Sequence, residues 1–239
     1  MGRQWLQKKR EINAAKKGKI SNKLVREITI AAKMGVADPH MNARLAVAVE
    51  AARKQSVPND TIQRAIKKGS GQLGDGAQIE MVSYEGFGPH KVPVIVECMT
   101  DNRNRTAPEM RTLFRNGQMN AKVGFFFDHV GIVEATHEGP LGTPIDLETV
   151  AIEAGAQSFE PLEHLAEGQV GARFYTDVSD LDGVTTVLRT SGWSVTASEV
   201  GYLAKDPMDL PPEHLKDLEV FLEAIDDHDD VHRIYTALR

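Results

Sequence analysis

The spacing of apolar positions divides the chain before any other property is considered. Over residues 20–33, Leu24, Ile28, Ala31 and Ala32 fall on one helical face, with Lys23, Arg26 and Lys33 roughly opposite, which predicts an amphipathic helix. Asp38 followed by Pro39 reads as a cap and a first helical position, opening a second helix on which Met41, Leu45, Ala48, Val49 and Ala52 align. Pro58 opens a third, with Asp60 near its positive end, Ile62, Ala65 and Ile66 inward, and Arg64, Lys67 and Lys68 outward. The stretch before these helices, residues 3–19, carries basic residues all round a helical wheel. No single face of it can bury, so it is expected as a mobile arm or a helix that orders on its ligand, with Trp5 anchoring it or stacking on a base.

After GSGQLGDGA, residues 69–77, which reads as a hinge, the period changes to two. Strands are expected near 79–84, 92–99, 125–127 and 131–135, with Pro93 confined to an edge or to a place outside the ladder. Between them, Thr106 and Glu109 have capping-box spacing, Pro108 sits in the first turn, and Met110, Leu113 and Phe114 recur helically before Gly117. The chain punctuates at EGPLGTP, residues 138–144, and again at DPMDLPP, residues 206–212. Between these breaks lie a helix from Asp146 to Gly155, strands near 157–162 and 171–176, a helix from Asp180 and a strand from Trp193. Beyond them, Leu215, Leu218, Leu222 and Ile225 mark a helix, and residues 231–235 a closing strand. The expected fold is α+β: an N-terminal helical bundle followed by two α/β sandwich domains, the third inserted in the second. The boundaries are 1–72 for the basic helical domain, 78–136 with 206–239 for the α+β domain, and 137–205 for the acidic insert.

A chain of 239 residues is long enough for two or three such units. Cys98 is its single cysteine and lies in an apolar run, which predicts a buried thiol and leaves no disulfide or cysteine-based metal site. No signal-peptide pattern and no run of roughly 18 apolar residues occurs, so the expected location is the cytoplasm, away from a membrane.

Charge changes the picture most. The net charge of -6 conceals a basic head, with 16 Lys+Arg against 5 Asp+Glu in residues 1–72, and an acidic remainder with 12 against 29. Such a head suits a polyanion, because each neutralised phosphate releases counterions. The candidate nucleic-acid contacts there are Lys8, Lys9, Arg10, Lys16, Lys17, Lys19, Lys23, Arg26, Lys33, Arg64, Lys67 and Lys68. Arg103, Arg105, Arg111 and Arg115 extend the set, the first two on the approach to a helix N-terminus, where cations are unfavourable unless an anion is received. The competing reading pairs Arg103 and Arg105 with Asp101 or Glu97. Residues 137–205 hold 3 basic against 11 acidic residues and 206–239 hold 3 against 10, so both should be repelled by phosphates and suit basic ribosomal or transcription proteins.

Catalysis finds little support. DDHDDVH, residues 226–232, offers carboxylates and two histidines that could hold Mg²⁺ or Zn²⁺, but consecutive acids project in different directions and read as a solvated turn. His90 and His137 have no obvious partner, and no Walker loop, G-x-S-x-G or H-E-x-x-H occurs. No catalytic residue, metal or cofactor is expected.

GKISNKLVREITIAAKMG, DPHMNARL, VPNDTIQRAIKKGSG, YEGFGP and TDNRNRTAPEMR, in this order, resemble the YebC/PmpR family of transcriptional regulators, whose mitochondrial relatives activate translation. The likeness spans residues 18–135 and returns in DDHDDVHRIYT. It departs at the start, where GRQWLQKKREI replaces the family's AGHSKW, and Ile20-Ser21 stands where Phe usually follows GK. The resemblance implies a three-domain protein that binds nucleic acid in the bacterial cytoplasm. Two functions follow as expectations: a transcriptional regulator binding DNA through its basic N-terminal domain, or a factor on ribosomal RNA that assists elongation. The tight turn SVPND between helices is a weak helix-turn-helix signal, and contacts from an arm, a hinged head and an arginine loop demand less base reading than an operator does.

Overall fold

The strand β2 (Pro93–Thr100) is buried at every position, which explains its nearly continuous apolar sequence: both of its faces are covered. In this computed structural model, residues 4–73, 79–138, 145–163, 165 and 168–239 are described, with side chains from residue 18 on. β2 pairs antiparallel with β1 (Glu80–Phe87) and β8 (Val231–Thr236), and β1 with the two-residue β3 (Gln118–Met119), in the order β3-β1-β2-β8. Pro93 needs no edge, because it is the first residue of the strand and only its carbonyl is used, by Ala237 N at 3.1 Å. Val94, Val96 and Cys98 face α4 (Arg103–Leu113) and α7 (Pro212–Asp226), in one core with Met110, Phe114, Leu218, Phe221 and Ile225. Ile95 and Met99 face the other way: Ile95 meets Val123 and Phe127, and Met99 meets Ile30 of α1 (Gln4–Met34).

A second antiparallel sheet has the order β5-β6-β4-β7, from β4 (Phe127–Glu138), β5 (Ser158–Pro161), β6 (Gln169–Thr176) and β7 (Ser194–Ala204). The helices α5 (Leu147–Ala154) and α6 (Leu181–Thr190) cover one face of it, Leu188 of α6 packing in one core with Val133, Ala135, Phe174 and Trp193. α5 begins and ends where the local signals put it: Asp146 accepts from Glu148 N at 3.1 Å, and Gly155 closes the helix at φ +79°, a conformation costly for other residues. One expectation fails here. Residues 131–135, expected in the middle unit, lie inside β4, whose ladder partners are β6 and β7, so this strand belongs to the inserted sheet. Of residues 125–127, expected as a strand, Phe125 and Phe126 lie in a 3-10 turn (Gly124–Phe126) and only Phe127 is strand, the first residue of β4. The described residues thus hold seven α-helices and two four-stranded antiparallel sheets.

The head departs from expectation at both of its first two helices. The basic arm and the first helix form one element, α1, of 31 residues and about 46 Å at 1.5 Å per residue. α2 (Ala43–Lys54) starts at Asn42, whose side chain accepts from Leu45 N at 3.0 Å and donates to Ala31 O and Val36 O at 2.9 Å each. The Asp38-Pro39 pair precedes it in a turn, and Met41 is 73% exposed. α3 (Asn59–Gly69) follows Pro58 as expected, with Ile62, Ala65 and Ile66 buried. Its last residue lies so close to α1 that a Cβ on Gly69 would sit 2.3 Å from Thr29 O, so only glycine fits there. The linker residues 74–78 and the break at 139–144 lie outside the described residues.

Candidate nucleic-acid interface

α4 starts three residues before the predicted capping box. Its cap is Asn102, which accepts from Arg105 N at 3.1 Å, so Arg103 and Arg105 are in the first turn of the helix instead of on the approach to it. Thr106 is not the cap, because it lies inside the helix with its N–H on Asn102 O at 3.1 Å; its buried hydroxyl donates to Asp230 Oδ2 at 2.7 Å. Pro108 consequently falls inside the helix.

Asp230 overturns the reading of DDHDDVH as a solvated turn. Its side chain is 2% exposed and also accepts from Thr100 Oγ1 at 3.2 Å, Arg105 Nη2 at 2.8 Å and, on Oδ1, Arg26 Nη1 at 2.8 Å. Burial raises its pKa, but the bonds from Arg105 and Thr106 and the charge of Arg26 outweigh this and hold it below the usual carboxylate value. Around it, Lys23 meets Asp226 at 3.1 Å, and Lys19 meets Asp227 at 3.7 Å and the Asp227 carbonyl at 2.9 Å. The acidic turn therefore lies along α1. The cleft of about 780 Å³ between them is lined by Lys19, Arg26 and Arg105, but also by Glu109, Asp227, Asp229 and Asp230. Four carboxylates against three cations do not make a phosphate site, so Arg105 is satisfied from within, as the competing reading had it for Asp101, at 3.2 Å.

Glu109, His228 and Asp230 bring ligand atoms within 4.8 Å of one another, but each is used by the protein. Asp230 N donates to His228 Nδ1 at 3.1 Å, which puts the ring proton on Nε2, facing Glu109 Oε2 at 2.9 Å. His90 likewise has a partner after all: it meets Asp217 at 3.0 Å and stacks on His214.

A second set of charges joins the head to both sheets. Glu27 of α1 meets Arg44 of α2 at 2.8 Å and His232 of β8 at 3.0 Å, and Glu199 of β7 meets Arg233 at 2.8 Å and His232 at 3.6 Å. The Glu27–His232 contact is close but not aligned as a hydrogen bond, so its strength comes from charge. Burial raises the Glu27 pKa, but His232 and Arg44 overcome it and take the group down to about 2. Burial disfavours the His232 imidazolium, yet Glu199 and Glu27 hold its pKa above 6.5. A cavity of about 220 Å³, lined by Glu27, Arg44, Glu199 and His232, lies between α1, α2 and β7. These residues gave no sequence signal beyond their types, since their partners lie on four separate elements.

The cations left over occupy a different region. Arg64, Lys67 and Lys68 on α3, Arg111 on α4 and Arg115 in the 3-10 turn after it are exposed, with no ion pair to a carboxylate among the described residues. Lys33 is exposed and reaches only the Ile79 carbonyl, at 3.4 Å, while Arg103 meets Glu80 loosely at 3.8 Å across a solvated gap. Because Gly69 packs on Thr29 and Ala32, and Ile79 on Ile30, the ends of α1 and α3 and the start of α4 converge where β1 begins. The side chains of Lys8, Lys9, Arg10, Lys16 and Lys17, and of Trp5, lie outside the described residues; their backbone is part of α1.

Two family models match this architecture, one described as the TACO1/YebC N-terminal domain over residues 2–72 and one as the TACO1/YebC second and third domain over residues 79–238. The chain belongs to the TACO1/YebC family. A Pseudomonas fluorescens member named "probable transcriptional regulatory protein" is 49% identical over 242 residues, covering 100% of this chain and 99% of its own. A relative of the same designation from Bdellovibrio bacteriovorus is 46% identical with both chains covered at 100%, and one from Caldanaerobacter subterraneus is 39% identical over 95% of this chain and 92% of its own. The crystal structure of a conserved hypothetical protein from Aquifex aeolicus superposes with a TM-score of 0.80 at 33% identity, covering 94% of this chain and 91% of that one. The relatives from Pseudomonas, Bdellovibrio and Caldanaerobacter, matched along the TACO1/YebC sequence, carry names of regulators. Among the described residues no helix is long and apolar enough to cross a membrane.

Proposed function

We propose that this protein is a nucleic-acid-binding regulator of gene expression that holds the sugar–phosphate backbone of DNA against the free cations of its head and of α4. The observation that carries the reading is the contrast in charge pairing. Lys19, Lys23, Arg26 and Arg105 are neutralised by the 226–230 turn, whereas Arg64, Lys67, Lys68, Arg111 and Arg115 have no carboxylate partner among the described residues and face solvent. The names of the relatives favour transcription as the process regulated. α3 follows α2 through a short turn and exposes Gln63 beside Arg64, a polar edge suited to a groove. The spread of free cations over three elements favours a second reading, a translation factor on ribosomal RNA, since phosphate and shape contacts then replace base reading.

The test is binding of the full chain to a DNA duplex and to a structured ribosomal RNA fragment across a salt series. Each phosphate neutralised contributes about 0.9 to the slope of log affinity against log salt on duplex DNA. Replacing Arg64, Lys67 and Lys68 by Ala should lower that slope by about 2 to 3. An unchanged slope refutes the proposed surface, and stronger binding to the RNA selects the second reading.

A further inference from the structure

The inserted sheet and its helices have cations in short supply. Of the basic residues in 137–205, Arg173 is held by Glu134 at 2.6 Å, Arg189 by Glu50 of α2 at 3.1 Å, and Lys205 by Asp128 at 3.2 Å. The acids are not matched in return: Glu148, Glu153, Asp180 and Asp182 are exposed, with no ion pair among the described residues. α5 carries no cation at all. This face repels a polyanion and attracts a polycation.

The same face has a place for an apolar anchor. Between α5 and α6 a pocket of about 260 Å³ opens, with Trp193 and Leu188 beneath, Val150 and Val187 at its sides and Glu153 on its lining. Trp193 is held in place edge-on to Phe174 at 5.8 Å and tilted against His137 at 5.4 Å. Beside Glu153, Ile152 is 71% exposed, and Val187 is 38% exposed, apolar area that the inserted unit leaves uncovered. A buried aromatic floor, aliphatic walls and an anionic rim form the anatomy of a small protein-binding hot spot.

We propose that the α5–α6 face docks a lysine- or arginine-rich polypeptide segment of another protein, seating one of its apolar side chains above Trp193 and its cations on Glu148 and Glu153. The occupant is basic because the face has acids with no cations to answer them, and it is anchored because the pocket is apolar within that acidic rim. This site is separate from the cations assigned to nucleic acid, so a protein and a nucleic acid can be held at once.

The probe is a twelve-residue lysine peptide with one central leucine, titrated into the full chain carrying Trp5→Phe so that Trp193 reports alone. Saturable change in Trp193 emission is expected. Glu148→Lys with Glu153→Lys, both exposed, should weaken binding at least tenfold, and replacing the peptide's leucine by serine should weaken it severalfold. The same charge reversal on α7, Glu219→Lys with Glu223→Lys, should leave affinity within twofold. Equal loss from the α7 reversal, or indifference to the leucine, would overturn the proposal. It is also overturned if sedimentation shows the chain self-associating and the Glu148/Glu153 reversal dispersing it, since the occupant is then a second copy.

Discussion

Replacing Asp230 by Asn tests whether the acidic turn locks the head to the first sheet. The carboxylate accepts four hydrogen bonds, from Arg26, Arg105, Thr100 and Thr106, at 2% exposure. Asn keeps the volume and removes the charge, so the two charge-assisted bonds, each worth about 1.5–3 kcal/mol when buried, are the ones lost. Arg105 is 44% exposed and recovers water, which reduces its share to about 1 kcal/mol, whereas Arg26 at 24% keeps about 2 kcal/mol. The threonines lose less, because Asn can turn its amide oxygen to them and still accept. The expected cost is about 3 kcal/mol, or a fall in Tm of roughly 6–12 °C at the 2–4 °C per kcal/mol typical of this chain length. Scanning calorimetry of the full chain reads it, with Asp229→Asn, at 72% side-chain exposure, as the neighbour that should shift Tm by less than about 1 °C. A fall below about 2 °C for Asp230→Asn would refute the claim that this carboxylate joins the units. Arg26 keeps its bonds to the Met99 and Asp229 carbonyls and Arg105 keeps Asp101, so nucleic-acid affinity should rise only modestly.

The two arginines of the α4 first turn should separate: Arg105→Ala lowers Tm by several degrees through Asp230, while Arg103→Ala leaves it unchanged and weakens nucleic-acid binding, both measured on purified single variants. His232 contributes stability that is complete below pH 6.5 and lost as pH rises through its raised folded value, whereas Glu27, held at about 2, contributes above about pH 4.5 and loses this as pH falls. Melting curves on the alkaline side should therefore decline in the native protein and flatten in His232→Gln. Cys98 is fully buried, and burial, followed by the charges of Asp230 and Glu97, pushes its thiol up to about 12; alkylation at neutral pH should proceed only after unfolding, as mass spectrometry with and without denaturant would show.

Local chemistry was legible wherever it was sufficient. Asp146 and Gly155 bracket α5 because a cap and a left-handed stop need only their own neighbours. Asn42 was missed in favour of Asp38-Pro39 because half of its role is tertiary: its amide ties α2 to Ala31 and Val36, contacts that no spacing rule reveals. Thr106 and Glu109 had the right spacing for a cap, but a buried carboxylate 124 positions further on claims the threonine. Residues 131–135 read as a strand, but nothing in them says which sheet pairs with it. Nor could a helical wheel reveal that α1 is continuous, since its polar circumference at residues 4–17 gives no apolar stripe to follow.

The candidate interface shows the same division between type and partner. Counting cations along the first 72 residues measures the charge available for neutralisation, not the charge available to a ligand. The stretch expected to be repelled by phosphates, residues 206–239, folds back so that its carboxylates stand where phosphates would stand along Lys19, Lys23 and Arg26. An anion arriving at that side of α1 must displace ion pairs and bury nothing in exchange, whereas one arriving at α3 displaces only water and counterions. In the proposed interface it is the asymmetry between those two sides of the head, more than its net charge, that favours Arg64, Lys67 and Lys68 over Lys19, Lys23 and Arg26.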